Sequence, residues 1–298
     1  MNDHPSTNHT QRPIGVFDSG VGGLTVAKAI HRALPQEKIL YLGDTARVPY
    51  GSKSKDVIQQ YTREILAKME TEDVKAIVVA CNTVSALAHE VLASQKGVVP
   101  MIDVLTAGVD ATLHHLRSQE QHPMPINPSP SNPTPTVGVL GTTATIASQA
   151  YERQLKHAWP NLRVLSQACP LLVPLAEEGW DGQSEVVRYT LSTYLEPLQD
   201  PPMDALILGC THYPLFKDAI ASGLSSSPLI IDSGEAVART LKLELQKNHL
   251  LRSPDESSQN TSDWLECWVT DRPDHVQGLA ERILGERIAN VRHLTLGS

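Results

Sequence analysis

The sequence predicts an α/β fold: two pseudo-symmetric, three-layer α/β domains with parallel-rich sheets and a ligand site at their interface. Three observations predict it. Short aliphatic runs repeatedly end in Gly- or Ser/Thr-rich turns that open helical patterns, the order that builds parallel sheets covered on both faces. Two strand–turn–helix elements recur in the same order in each half of the chain. Each half also places a cysteine where a buried strand runs out.

Taken in order, "IGVF" leads into "DSGVGGLTVAKAIHRAL", "KILYLG" into "DTARVPYG" and "AIVVA" into "CNTVSALAHEVLA". In the second half "VGVLG" leads into "TTATIASQAYERQL", "ALILG" into "CTHYPLFKDAI" and "LIID" into "SGEAVARTLKLEL". A late strand, "WLECWVT", follows the polar loop 252–263. Segment 121–136 carries six prolines, which exclude helix and central strand, and reads as an exposed, semi-rigid loop. Residues 1–11 read as a disordered tail.

The repeat pairs "PIGVFDSGVGG" at 13–23 with "TVGVLGTTATI" at 136–146, and "AIVVACNTVSALA" at 76–88 with "ALILGCTHYPLF" at 205–216. Cys81 and Cys210 therefore occupy equivalent strand ends. In open α/β sheets, ligands bind beyond the carboxyl ends of strands.

At 298 residues the chain can bury a full core and hold two compact units. A formal charge of −8 argues against a broad footprint for nucleic acid or anionic membrane. No window approaches a membrane span and the polar N-terminus lacks the apolar core of a signal peptide. The four cysteines, 81, 169, 210 and 267, have no CxxC spacing and read as reduced thiols in a cytoplasmic protein. A homodimer is the expectation from the frequency of two-fold assemblies.

If the two domains face one another, Cys81 and Cys210 converge on one ligand. Two like acid/base groups on opposite sides of a carbon suit inversion of a stereocentre: one thiolate removes a proton, the opposing thiol delivers another. Free cysteine titrates near neutrality, so both forms are reachable at modest cost. The competing reading is that each cysteine packs as a small hydrophobe, which describes Cys169 and Cys267 better than the matched pair. A zinc site would want tight ligand pairs, and only Cys210-x-His212 is present, so no metal is assigned.

The surrounding turns suit a small amphoteric ligand. Asp18 and Ser19 leave the first strand at a Gly-rich loop; Asp18 can pair with an ammonium, tune a thiol or serve as a cap. Asn82, Thr83, Thr142, Thr143, Thr145 and Thr211 bring amide and hydroxyl groups beside helix N-termini, which favour carboxylates. Any single threonine among them is equally a cap. Tyr50 and Gly51 can add a backbone contact or form a plain turn.

Six fragments in order, "GVFDSGVGGLTV", "GDTARVPYG", "VVACNTVSA", "GTTATIAS", "CPLLVPLAEEG" and "GCTHYPL", closely resemble the bacterial glutamate racemase family of the aspartate/glutamate racemase superfamily. The resemblance implies a cofactor-independent isomerase that supplies D-glutamate for peptidoglycan. It implies Cys81 as the base toward D-glutamate, assisted by Asp18, and Cys210 as the base toward L-glutamate, assisted by His212 with Glu177 behind it. It implies substrate contacts from Asp18, Ser19, Tyr50, Gly51, Asn82, Thr83, Thr142, Thr143, Thr145, Thr211 and His212. It also implies a discontinuous layout, 12–103 with 229–298 as one domain and 104–228 as the other, with 229–232 returning to the first sheet.

Departures from the family pattern are the long Pro-rich insert, the extended loop 252–263 and Val48, where an aromatic or larger residue is common. The rival readings are a racemase of another acidic amino acid such as aspartate, and a non-enzymatic two-domain small-molecule binding protein. Phosphoryl transfer from the aspartate of "IGVFDSG" lacks a second Asp two residues on and any evident Mg²⁺ ligand set.

Overall fold

The computed structural model describes residues 9–95, 99–118, 134–253, 264–289 and 291–296. Ten strands carry the fold: β1 Ile14–Asp18, β2 Ile39–Gly43, β3 Ala76–Val79, β4 Met101–Asp103, β5 Thr136–Gly141, β6 Arg163–Ala168, β7 Ala205–Gly209, β8 Leu229–Asp232, β9 Leu265–Val269 and β10 Val291–His293. The helices are α1 Leu24–Ala33, α2 Lys55–Thr71, α3 Asn82–Leu87, α4 His89–Ser94, α5 Val104–Ser118 and α6 Thr143–Ala147. They continue with α7 Ala150–Ala158, α8 Leu172–Glu177, α9 Glu185–Leu195, α10 Lys217–Ser222, α11 Ser233–Lys247 and α12 Pro273–Leu284.

The strands form a six-stranded sheet, β10-β9-β2-β1-β3-β4, and a four-stranded sheet, β6-β5-β7-β8. All described pairings are parallel. The order β2-β1-β3-β4 matches β6-β5-β7-β8 position for position, so the sequence repeat is a repeat of topology. Alternate residues of the central strands feed opposite faces. Val16 and Val78 pack with α1, α11 and α12, while Phe17 and Val79 pack with α2, α3 and α4. In the second sheet Val139 and Ile207 face α5 and α7, whereas Leu140 and Leu208 face α8 and α9. Period-two alternation between two buried faces is what a fully covered strand requires.

One expectation is corrected. Leu229–Asp232 does not rejoin the first sheet; it pairs with β7, Leu206 opposite Ile230 and Leu208 opposite Asp232. The reason is the repeat itself, because β8 fills the place that β4 fills beside β3. The helices after these two strands then exchange: α11 leaves the second sheet to pack on the core of the first, and α5 packs Leu105, Val109 and Leu113 on the core of the second. Asp103 and Asp232 start both crossovers alike, each carboxylate accepting from backbone N–H groups of the helix it precedes.

His9–Gln11 forms a short 3₁₀ helix whose Gln11 side chain accepts from Arg252, so the chain is ordered before residue 11. Residues 1–8, most of the Pro-rich segment and most of loop 252–263 lie outside the described residues.

Candidate active site

The carboxyl ends of β1, β3, β5 and β7 open onto a cavity of about 370 Å³. Both Cys81 and Cys210 line it, with Ser19, Tyr50, Gly51, Asn82, Thr83, Thr142, Thr143, Glu177, Thr211 and His212. Sequence repeat, sheet order and site therefore agree.

On the first side, β1 ends in Asp18, which is 1 % exposed. Its Oδ2 accepts from the backbone N–H groups of Gly20 at 3.0 Å and Gly23 at 3.1 Å, folding the Gly-rich loop over it. A side chain at Gly23 would put a Cβ 2.5 Å from that of Asp18, so the loop needs glycine there. Asp18 Oδ1 is buried without a hydrogen-bond partner. Burial raises the Asp18 pKa, opposed by positive charge on His212 and by the loop N–H groups.

Cys81 occupies the N-cap of α3, in extended conformation, with Sγ 3.5 Å from Ser19 Oγ. Burial, followed by the Asp18 charge, pushes its thiol up to about 12 against the weaker pull of its hydrogen bonds. On the second side Cys210 Sγ lies 3.9 Å from His212 Nδ1, and His212 Nε2 lies 3.1 Å from Glu177 Oε1. Burial disfavours the imidazolium, but Cys210 and Glu177 together outweigh it and lift His212 to about 10. The near-symmetric pair of thiols thus sits in two different electrostatic settings, one beside a carboxylate and one beside an imidazole.

At the cavity wall, Thr83 and Thr142, with Thr145 behind them, form a triangle of hydroxyls across the two halves, with oxygens 2.9 to 3.3 Å apart. Thr142 caps α6 by accepting from the Thr145 N–H. Tyr50 is held from behind, its hydroxyl donating to the buried Asp44, which also accepts from Arg47 and Thr270. That network fixes the turn bringing Gly51 against Thr142, where a Cβ would come within 2.9 Å.

Two predicted contact residues stand off the cavity wall. Asp18 is covered by its own loop, and Thr145 lies behind Thr83 and Thr142 as a buried hydrogen-bond partner. The remaining predicted residues line the wall. Sequence reasoning singled out Val48, which lines the cavity, but missed the apolar side that Pro49, Pro170, Val173 and Pro174 form with it. In α8 the one polar residue that faces inward is Glu177; Val173 and Pro174 carry no polar group that would set them apart from packed positions in the sequence. Cys169 and Cys267 are fully buried in the cores, and burial pushes both thiols up to about 12. A larger groove of about 1130 Å³ between α4, α5 and α7 takes in the end of β4 at Asp103 but no cysteine. Among the described residues no group of three or more His, Cys, Asp or Glu could hold a metal ion, and no helix is long and apolar enough to cross a membrane.

Two parallel α/β domains that each contribute a thiol to one interfacial cavity define a cysteine-pair racemase site. The model of the Asp/Glu/Hydantoin racemase family matches residues 14–241. The glutamate racemase of Geobacter metallireducens is 40% identical over 285 residues, covering 96% of this chain and 97% of the relative. That of Syntrophus aciditrophicus is 42% identical over 287 residues, covering 95% and 97%. The crystal structure of the Francisella tularensis glutamate racemase in complex with D-glutamate superposes with a TM-score of 0.83 at 36% identity, covering 96% of this chain and 98% of that one. The Thermus thermophilus glutamate racemase in complex with β-chloro-D-alanine gives 0.77 at 39% identity, covering 96% and 98%. The chain belongs to the aspartate/glutamate/hydantoin racemase family, and within it to the glutamate racemases.

Proposed function

We propose that this protein interconverts L- and D-glutamate without a cofactor, using Cys81 and Cys210 as opposed acid/base groups. The carrying observation is that two thiols from equivalent strand ends line one cavity of about 370 Å³. The D-glutamate bound by the Francisella relative supports the choice of substrate.

In the forward step the thiolate of one cysteine takes the Cα proton; the C–H bond breaks, an S–H bond forms, and its electron pair passes to Cα and the adjoining carboxylate. The opposing thiol then gives its proton to the other face of Cα, leaving a thiolate. The two cysteines have exchanged protonation states, and reverse turnover or solvent exchange restores them. Donors from Asn82, Thr83, Thr142, Thr143 and Thr211 are placed to hold the carboxylate whose charge grows in the carbanion, the kind of preorganisation that counts most in a water-poor site.

Asp18 is assigned to Cys81 and His212 to Cys210. Burial and then the nearby Asp18 favour the protonated thiol of Cys81, and an arriving ammonium offsets that carboxylate and favours the thiolate. On the other side an imidazolium favours negative charge forming on Cys210, and Glu177 holds the ring in place. Ser19, Tyr50 and Gly51 complete the first wall. The domain reading is 12–103 with the C-terminal part of the chain as one domain and the segment from 104 as the other, its end moved from 228 to 232 because the pairing of β8 with β7 supports keeping 229–232 with the second sheet. The enzyme works in the cytoplasm, supplies D-glutamate for peptidoglycan and forms a homodimer, which sedimentation would test.

The test is the Cα proton. In D₂O with either glutamate enantiomer and no added cofactor, the other enantiomer is expected to form carrying deuterium, with aspartate assayed in parallel. Folded protein that shows neither exchange nor inversion would exclude the reading. Preference for aspartate would move the substrate assignment and leave the chemistry in place.

A further inference from the structure

We propose that Tyr151 is a positioning residue that fixes the amide of Asn82 so that its N–H donors face the cavity, making the site select for an anionic group there. The proposal rests on the racemase reading above.

Tyr151 belongs to α7, behind the site, and is 2 % exposed. Its ring lies against Gly209, the last residue of β7, where a Cβ would come 3.0 Å from Tyr151 Cε2. A Cβ there would also come 2.6 Å from the Leu140 carbonyl oxygen, so the glycine immediately before Cys210 admits both the neighbouring strand and the tyrosine ring. From that position the hydroxyl reaches across to the first domain. It stands 2.6 Å from Asn82 Oδ1, one residue after Cys81, and 3.5 Å from Ser233 Oγ, which itself donates to the Leu208 carbonyl at 3.0 Å.

Two proton arrangements would fit this connectivity. In one, Tyr151 donates to Asn82 Oδ1 and the amide nitrogen turns away from it. In the other, the amide is reversed: its nitrogen donates to Tyr151, whose proton goes to Ser233, and an oxygen faces the ligand. The distances favour the first. A separation of 2.6 Å lies within the O–H···O range and is shorter than the usual N–H···O range. The 3.5 Å to Ser233 exceeds the usual O–H···O length. Tyr151 therefore donates to Asn82, and Asn82 Nδ2 is the atom left buried without a protein partner on a residue that lines the cavity. A buried donor without a partner is costly until a ligand satisfies it. A carboxylate oxygen satisfies it, whereas an ammonium, which only donates, does not.

The test is a double-mutant cycle of Tyr151→Phe and Asn82→Ala, followed by kcat and KM for both glutamate enantiomers, with unfolding midpoints measured alongside. Tyr151→Phe is expected to raise KM about three- to tenfold, as loss of one hydrogen bond does, with kcat changed less. In the Asn82→Ala background it is expected to add nothing. Equal cost in both backgrounds, or an unchanged KM in the single variant, would overturn the proposal, since a packing role does not depend on residue 82. Asn82→Asp gives an answer even if Tyr151→Phe folds poorly. With an oxygen forced toward the ligand, KM should rise beyond that of Asn82→Ala; binding as tight as wild type would mean that Asn82 serves as an acceptor. Wild-type protein that inverts glutamate but shows an additive cycle refutes Tyr151 alone. Wild-type protein that neither binds nor inverts glutamate refutes the racemase reading and this proposal with it.

Discussion

The Cys210 thiol faces the His212 imidazole with 3.9 Å between Sγ and Nδ1, while the Ser19 hydroxyl, 3.5 Å from Sγ, holds the corresponding place beside Cys81. The fold supplies two equivalent thiols and the local sequence makes their surroundings unequal. Inversion needs both, one as base and one as acid. Cys81→Ser and Cys210→Ser are each expected to lower kcat by about a thousandfold or more, toward the upper part of the range for general acid–base catalysis. Mixing the two variants should restore nothing, because one chain forms the whole cavity. Recovery of activity on mixing, followed by optical rotation, would show instead that the two thiols act from different subunits.

The unequal settings have a thermodynamic limit. Enantiomers are equally stable in water, so kcat/KM must be the same in both directions for wild type and for every variant. His212→Asn is therefore expected to lower both kcat/KM values together, by about a hundredfold, while kcat and KM separately become unequal between enantiomers. Glu177→Gln, which keeps a hydrogen-bonding side chain behind the ring, should cost about two- to tenfold. Full kinetics on both enantiomers check this. Wild-type rates in His212→Asn would remove His212 from the chemistry.

Much of this site was legible because its residues sit where two sequence signals coincide. β1, β3, β5 and β7 are mainly apolar runs buried on both faces, each ending at or just before a small or polar residue. A run and its stop are readable without tertiary information. β4 and β10 have only three residues each, too few to show a period, and β6 is an edge strand of intermediate burial that begins with exposed Arg163. The placement of β8 was misread for a related reason. Its place in the first sheet comes from the discontinuous layout that the resemblance implies, and the counterpart that would correct it, β4, is too short to extend the repeat in the sequence. Asp18 and Thr145 illustrate the limit for side chains, since sequence places them at the correct strand ends but cannot tell a wall from the layer behind it. The Tyr151–Asn82 bond joins residues on different domains and has no local signature at all.

The charge on His212 has a consequence for stability. Its pKa is 6.5 in an unfolded chain and about 10 in the folded one, where Cys210 and Glu177 overcome burial. A group raised in this way contributes stability that is complete below the unfolded value and is lost as pH rises through the folded value. The loss therefore falls between 6.5 and about 10. Urea unfolding of wild type and His212→Asn should show a gap that is widest near the acid end of this window and narrows toward its alkaline end. A gap that widens with pH would mean that the folded site favours the neutral ring.

For Cys81 the opposing influences are burial and the Asp18 carboxylate, which together hold the thiol near 12. Asp18→Asn keeps an oxygen to accept from the Gly20 and Gly23 N–H groups and removes the charge. The Cys81 titration should then move down, while remaining above that of free cysteine because the burial persists. Ultraviolet thiolate absorbance, taken as the difference from Cys81→Ser, isolates this thiol from the other buried ones. An unmoved titration would assign the whole shift to burial.

Gly22 tests how closely the two halves must fit. A Cβ there would lie 2.5 Å from His212 Cε1, His212 Nδ1 and Thr211 Oγ1, closer than real carbon contacts allow. The His212 ring atoms are not a free end, and the Thr211 backbone is pinned. His212 is held by Cys210 and Glu177, and the Thr211 carbonyl accepts from Thr25 across the interface at 2.9 Å. Gly22→Ala must therefore push the Gly-rich loop and the Cys-Thr-His turn apart, at about 1–3 kcal/mol for overpacking. Displacing His212 moves Cys210's partner and lowers kcat/KM, equally for both enantiomers. Gly278→Ala is the matched control, because it lies within α12 and a Cβ there meets nothing within 4 Å. That change should leave activity intact and stabilise the helix by about 0.4–1 kcal/mol. If urea midpoints and kcat/KM came out the same for both alanine variants, the contact between Gly22 and His212 would carry no mechanical weight.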